Sequence, residues 1–189
     1  MRQDSGGPAG TKLGRRRVLA LGAALLVLGG SAVAVVRTRG YAVPAGRTLV
    51  VLSAWQLAVV EDAARRIAAP DRPGDASIPT PDALDVAGFV DAWMAHMPAK
   101  VRRDLGRFLG YLEHLAPLAC AMTTRFTRLG PDEQDRVLSA VEASSSDLLR
   151  AGFEGLKALV FMGYYRDPRT WGLVGFDGPQ VGRPAEGWR

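Results

Sequence analysis

The pattern of apolar and polar positions divides the chain into one continuous apolar stretch and a longer region of helical repeats. Between Val18 and Val36 only Ser31 is polar, and this length is close to what a bilayer-spanning helix needs. From Leu52 onward, apolar residues recur every three or four positions, which places them on one face of an α-helix. No strand-like alternation of apolar and polar residues is present, so the sequence predicts an all-α fold.

The first two predicted helices have recognisable starts. Ser53 and Gln56 form a capping box, and the helix that follows should end before Pro70. Thr80 and Pro81 match an N-cap followed by proline at the first helical position, so a second helix is predicted to start there.

Three further helices complete the predicted bundle. Pro98 opens the third, and Pro117 should kink or end it. A fourth helix starts at Pro131, and Ser144 or Ser145 caps a fifth. The predicted fold is an irregular bundle of about five helices.

The character of the sequence changes at Gly163, where the last helix is expected to end. The following segment is dense in aromatic residues, glycines and prolines. It has too many large rings for a disordered tail and too many helix breakers for a regular element. It should therefore pack in an extended path, either as a strap across its own helices or as a surface for another protein, and composition favours neither. The candidate partner-interface residues are Tyr164, Tyr165, Arg166, Trp171 and Phe176.

The N-terminal region indicates export. Arg15 and Arg16 directly precede Arg17 and the apolar stretch, which is typical of the twin-arginine signal that directs folded proteins out of the bacterial cytoplasm. Residues 32–34 match a peptidase site that would allow cleavage after Ala34. The length of the apolar stretch also fits a retained membrane anchor, which is the alternative to cleavage. Cleavage and anchoring both remain open, and either predicts a location in the periplasm or on the periplasmic side of the inner membrane.

This reading gives three segments: residues 1–36 as the signal or anchor, residues 37–52 as a linker, and residues 53–189 as a helical domain that includes the strap at 163–189. The signal also explains the basic composition. The chain has 24 Lys and Arg against 19 Asp and Glu; residues 1–34 hold five of the bases and one of the acids, which leaves 19 against 18. A net charge of +1 without a dense basic patch excludes nucleic acid as a partner.

One basic cluster in the helical region is predicted to be a solvated helix face, because acidic residues lie among its bases. Its bases are Lys100, Arg102, Arg103 and Arg107, and its acids are Asp104 and Glu113.

The residue types that carry chemistry are sparse. Cys120 is the only cysteine, so it cannot form an intrachain disulfide, and its apolar neighbours predict a buried position. His96 and His114 lack the spacing of metal ligands and are expected at surface or half-buried positions. The sequence has no nucleophile elbow and no phosphate-binding glycine loop. It therefore predicts no catalytic residue, no cofactor and no metal site.

Several motifs together resemble the gluconate 2-dehydrogenase subunit 3 family, the small subunits of membrane-bound, flavin-dependent sugar and sugar-acid dehydrogenases. They are the twin-arginine signal, Gly163-Tyr164-Tyr165-Arg166-Asp167-Pro168, Trp171-Gly172-Leu173-Val174-Gly175-Phe176-Asp177-Gly178-Pro179, and residues 126–134 and 152–157. The resemblance covers most of residues 48–179. Family members often carry a longer insertion containing Gly-Gly-Asn where only Arg169 and Thr170 join Pro168 to Trp171 here.

The resemblance implies a non-catalytic subunit that binds, stabilises and escorts a flavin-dependent dehydrogenase of the glucose-methanol-choline type through the twin-arginine export machinery. In that family the catalytic partner lacks a signal of its own, and a multihaem cytochrome c subunit often passes the electrons to the membrane. The alternative is a stand-alone, membrane-anchored helical envelope protein whose C-terminal segment closes its own core.

Overall fold

The computed structural model describes residues 40–43, 45–69 and 77–178. The chain divides after Gly40, and the second unit, Tyr41–Arg189, holds every element described below. The predicted signal or anchor at residues 1–36 lies outside the described residues. Within the described ranges, no helix is both long enough and apolar enough to cross a membrane.

The described residues form six α-helices and two 3-10 helices and contain no strand, which confirms the all-α prediction. The α-helices are α1 (Ala54–Ile67), α2 (Val86–Ala95), α3 (Ala99–His114), α4 (Ala116–Ala119), α5 (Pro131–Glu142) and α6 (Asp147–Tyr165), and the 3-10 helices are Phe126–Arg128 and Pro168–Val174.

Local sequence signals set several helix boundaries as predicted. The Ser53 amide donates to Gln56 Oε1 at 2.9 Å, which confirms the capping box at the start of α1. The third helix, α3, ends at His114, and Pro117 is the second residue of the single turn of α4 that follows. Pro131 is the first residue of α5.

The predicted start of the second helix is wrong, because α2 begins at Val86 and residues 81–85 form turns. Asp85 occupies the left-handed region at φ 48°, and its side chain caps α2 by accepting from the Gly88 amide at 3.2 Å. Its carboxylate also forms an ion pair with Arg47, a contact from far along the chain. A left-handed residue cannot continue an α-helix, so this capped and paired residue sets the start of α2.

Both predicted limits of the last helix are also wrong. The N-cap of α6 is Ser146, whereas Ser144 and Ser145 lie before it. The helix continues through Gly163 to Tyr165. A Cβ atom at Gly163 would lie 2.9 Å from Phe89 Cδ1, so glycine here lets α2 and α6 approach closely and does not end the helix.

The core surrounds α1, which packs against α2, α3, α5 and α6. Its fully buried residues include Leu57, Val59 and Val60, and each contributes about 1.5–3 kcal/mol of burial free energy. Cys120 is half-buried at the edge of this core, not fully buried as predicted.

The segment before α1, predicted as a linker, packs onto the helices. Asp91 of α2 is only 3% exposed, and its carboxylate accepts the backbone amides of Val50, Val51 and Leu52 at 2.7, 2.8 and 2.7 Å. Three charge-assisted hydrogen bonds to successive amides fix this segment beside α2.

Glu113 is the second buried acid, and its predicted place on a solvated face is wrong. Its side chain is 0% exposed, and it accepts hydrogen bonds from Thr127 Oγ1 at 2.7 Å, from the Thr127 amide at 3.1 Å and from the Tyr41 hydroxyl. Arg125 Nε lies 3.5 Å from the same carboxylate. Burial, reinforced by Glu113, raises the pKa of Tyr41, so its hydroxyl stays protonated and able to donate.

Candidate partner-binding site

The candidate site is the C-terminal segment, which folds back over the last turn of α6. Tyr164 anchors that turn from inside the domain, because its side chain is 2% exposed and its hydroxyl donates to the Pro79 carbonyl at 2.9 Å. Of the five predicted interface residues, Tyr164 is therefore an internal contact and offers almost no surface to a partner.

A compact turn follows, built around Asp167. Its carboxylate accepts the Arg169 amide at 2.9 Å and pairs with the Arg169 guanidinium at 2.8 Å, and these bonds lower the pKa of Asp167 to about 2. Thr170 is 0% exposed, and its hydroxyl lies 2.8 Å from the Asp167 carbonyl. The two-residue connection from Pro168 to Trp171 is thus a well-bonded 3-10 turn.

Trp171 ties the returning segment to α6. Its indole Nε1 donates to the Tyr165 carbonyl at 2.9 Å, which satisfies one of the free carbonyls at the helix end. Its ring meets Phe176 edge to face at 5.1 Å between centroids, and the left-handed Gly175, at φ 65°, lets the chain turn between them. Trp171 and Tyr165 are both half-buried, so they hold the strap and keep part of their surface in solvent.

Arg166 connects the same helix end to α2. One of its terminal nitrogens donates to the Leu84 carbonyl at 3.0 Å, and its guanidinium lies 5.1 Å from the centre of the Phe89 ring. Phe89 stacks in turn on Trp93 at 5.6 Å, and Trp93 is 38% exposed.

Three apolar side chains of the strap stay in solvent. Leu173, Val174 and Phe176 are 46%, 55% and 45% exposed, and we call them the C-terminal patch. Sequence reasoning identified Phe176 and missed the two aliphatic residues, although they belong to the same glycine-rich segment. Clustered exposed apolar residues beside arginine and aromatic side chains are typical of protein interfaces.

The family of the chain is shown by its similarity to a known protein family. The sequence model described as "Gluconate 2-dehydrogenase subunit 3" matches residues 54–178, from the start of α1 to Gly178 in the C-terminal segment. The chain belongs to the gluconate 2-dehydrogenase subunit 3 family. Comparisons with curated proteins and with solved structures gave no match.

Membership of the gluconate 2-dehydrogenase subunit 3 family indicates an accessory subunit of a dehydrogenase complex. The described part of the chain holds no group of three His, Cys, Asp or Glu side chains that could bind a metal ion. His96 is exposed, and His114 is half-buried with its ring 6.2 Å from that of Trp55. The C-terminal segment of this family member offers a fixed apolar surface, and its arrangement suits recognition of another protein.

Proposed function

We propose that the chain is a non-catalytic subunit that binds, stabilises and escorts a flavin-dependent dehydrogenase of the glucose-methanol-choline type through the twin-arginine export route. The observation that carries this proposal is the C-terminal patch, an exposed apolar surface on a segment in which the Trp171 indole and the Asp167 carboxylate are hydrogen-bonded, in a member of a dehydrogenase subunit family.

The way the strap is built supports a binding role. The Trp171 indole and the Asp167 carboxylate are bonded within the segment, so both help to hold the backbone that carries Leu173 and Phe176. A surface that is ordered before binding loses little conformational entropy when a partner covers it. The patch is therefore suited to tight contact with a second folded protein.

The export part of the proposal rests on Arg15 and Arg16 before the apolar stretch. A subunit that carries the only signal would take its partner across the membrane folded, with its flavin already bound. The complex would then act in the periplasm or on the periplasmic side of the inner membrane, where a multihaem cytochrome c subunit would accept its electrons.

The test of binding is an affinity purification of the tagged full-length chain from its own cells, followed by an absorbance spectrum. We expect a co-eluting protein of flavoprotein size with flavin absorption. A colourless single chain, from cells shown to express candidate dehydrogenases, would contradict the proposal and favour the stand-alone envelope protein.

The test of export is the variant Arg15→Lys/Arg16→Lys, which keeps both charges and removes the arginine pair. We expect the dehydrogenase to accumulate in the cytoplasm with this variant. The control Arg2→Lys/Lys12→Arg changes basic residues outside the pair. Normal export of the dehydrogenase with Arg15→Lys/Arg16→Lys would refute the escort role while leaving binding untouched.

A further inference from the structure

A groove of about 360 Å³ lies at the N-terminal end of α3, on the part of the domain that also holds the segment before α1. Val51, Leu52 and Met94 provide an apolar floor, and Leu52 and Met94 are 6% and 1% exposed. Gln56, Arg102 and Arg103 provide the polar side chains of its wall.

No acidic side chain in the described part of the chain lines this groove, and its polar side chains present hydrogen-bond donors. Among the described residues, neither Arg102 nor Arg103 has a carboxylate within salt-bridge distance. The side-chain oxygen of Gln56 accepts the Ser53 amide. The Gln56 side-chain nitrogen, Nε2, lies close to Gly106, because a Cβ atom built on Gly106 would be 3.0 Å from it. The first turn of α3 has no acidic residue, and its N-cap, Pro98, has no side-chain hydrogen bond to offer. An uncapped helix start adds positive potential to the groove.

The arginines of a second groove are paired with carboxylates, which distinguishes that groove from this one. The second groove, of about 310 Å³, also contains two arginines, but Arg47 pairs with Glu61 at 3.1 Å and Arg65 with Asp82 at 2.7 Å.

On α3 itself, Asp104 pairs with Lys100 at 2.7 Å and with Arg107 at 3.4 Å. The remaining acid of that basic cluster, Glu113, lies inside the domain. The charge of Arg103 also helps to lower the pKa of Asp104, but among the described residues neither Arg102 nor Arg103 forms an ion pair, so both guanidinium groups can bind a carboxylate of a ligand.

We infer that the groove binds an acidic segment of the dehydrogenase subunit, with a carboxylate between Arg102 and Arg103 and a neighbouring apolar side chain on the floor. This inference rests on the proposed function. Guanidinium groups bind carboxylates through paired hydrogen bonds, and burial of an adjacent apolar side chain adds affinity.

The groove and the C-terminal patch can contact one partner, because α2 connects them. Met94 lines the groove, and Phe89, less than two turns earlier on the same helix, lies beneath the Arg166 guanidinium beside the strap. Trp93 lies between Phe89 and Met94 in the sequence. It is partly exposed and extends the apolar surface along α2.

The test compares two double variants of the full-length chain that each remove two positive charges from α3. Arg102→Gln/Arg103→Gln removes the unpaired arginines, and Lys100→Gln/Arg107→Gln removes the bases paired with Asp104. Each tagged variant is purified from its own cells over a series of sodium chloride concentrations, and the bound flavoprotein is quantified.

We expect Arg102→Gln/Arg103→Gln to lower retention of the dehydrogenase about tenfold or more and to flatten its salt dependence. The control pair should match the wild type. Arg102→Lys/Arg103→Lys should restore part of the retention, because it keeps the charge and loses the planar fork. Melting temperatures equal to the wild type would show that both double variants are folded.

Equal retention of the dehydrogenase by the two double variants would contradict its binding at the groove and would leave the proposed function unaffected. A wild-type chain that retains no dehydrogenase would overturn both. If Arg102→Gln/Arg103→Gln kept the dehydrogenase and instead lost binding to phosphatidylglycerol vesicles, the groove would be a lipid site and the inference would be wrong.

Discussion

The Tyr41 hydroxyl donates a hydrogen bond to the buried carboxylate of Glu113, 72 positions later in the chain. The Tyr41 ring also lies against the Arg125 guanidinium, with Cζ 4.1 Å from its centroid. Glu113 and Arg125 are 0% and 6% exposed. Tyr41, the first residue of the second unit, is therefore held by contacts that form only when the domain is folded.

This relationship predicts that Tyr41→Phe lowers the free energy of unfolding by about 1–2 kcal/mol, because it removes one hydrogen bond to a buried carboxylate. Glu113→Ala should cost about 3–5 kcal/mol, because it leaves the charge of Arg125 buried without its carboxylate. Urea unfolding of the purified domain measures both values.

The control for these variants is Asp147→Ala, which breaks an exposed ion pair with Arg150 and should cost less than about 1 kcal/mol. A loss for Glu113→Ala no larger than that for Asp147→Ala would show that the buried cluster does not stabilise the fold.

Asp62 on α1 should make stability depend on pH. Burial raises its pKa to about 6, Glu113 and Glu61 add to this effect, and Arg65 opposes it. Since the pKa in the unfolded chain is about 3.9, the folded state binds more protons between roughly pH 4 and 6, and stability falls as pH rises through that window. Above about pH 6 the ionised carboxylate destabilises the fold.

Asp62→Asn should therefore raise the free energy of unfolding by about 1–2 kcal/mol at pH 7.5 and give no gain at pH 3.5. The lost ion pair with Arg65 limits the gain. Urea unfolding at both pH values measures it, and Asp104→Asn is the control, because Lys100 lowers the pKa of Asp104. A gain of equal size at both pH values would show that ionisation of Asp62 is not its cause.

Replacing either of two glycines of α6 by alanine should change the stability of the domain, in opposite directions at the two positions. A Cβ at Gly152 would overlap the ring of the buried Phe108, whereas a Cβ at Gly155 would meet nothing within 4 Å. Gly152→Ala should lower stability by about 1–3 kcal/mol through overpacking. Gly155→Ala should raise it by about 0.5–1 kcal/mol through helix propensity.

Thermal unfolding of the two alanine variants measures this difference directly. Similar melting temperatures for both would contradict the close approach of α3 and α6 at Gly152.

The sequence predicted those features that depend on neighbouring residues. The Ser53–Gln56 capping box and the prolines at the starts of α4 and α5, Pro117 and Pro131, act over one helical turn, so the sequence shows them directly. The start of α2 depends on Asp85, whose ion partner Arg47 comes from another segment, and no local rule includes that contact.

The same limit applies to the candidate site. Composition identified the aromatic segment, but it could not separate Tyr164, which bonds to Pro79 inside the domain, from Phe176, which stays in solvent. The sequence around Glu113 predicts an acid on a helix surface. Its burial is possible because Thr127 and Tyr41, which are distant in sequence, donate hydrogen bonds to its carboxylate in the folded domain.

The most direct test of the account is the amount of dehydrogenase that co-purifies with variants of the C-terminal patch. Leu173→Ser/Val174→Ser removes two exposed apolar side chains of the patch and leaves the Trp171–Phe176 ring contact in place. The control Leu118→Ser/Leu148→Ser removes two others, 46% and 80% exposed, from elsewhere on the domain. We predict that the patch variant loses about tenfold or more of the bound flavoprotein at an unchanged melting temperature, while the control keeps it. Equal retention by both variants would contradict the assignment of this patch as the partner-binding surface.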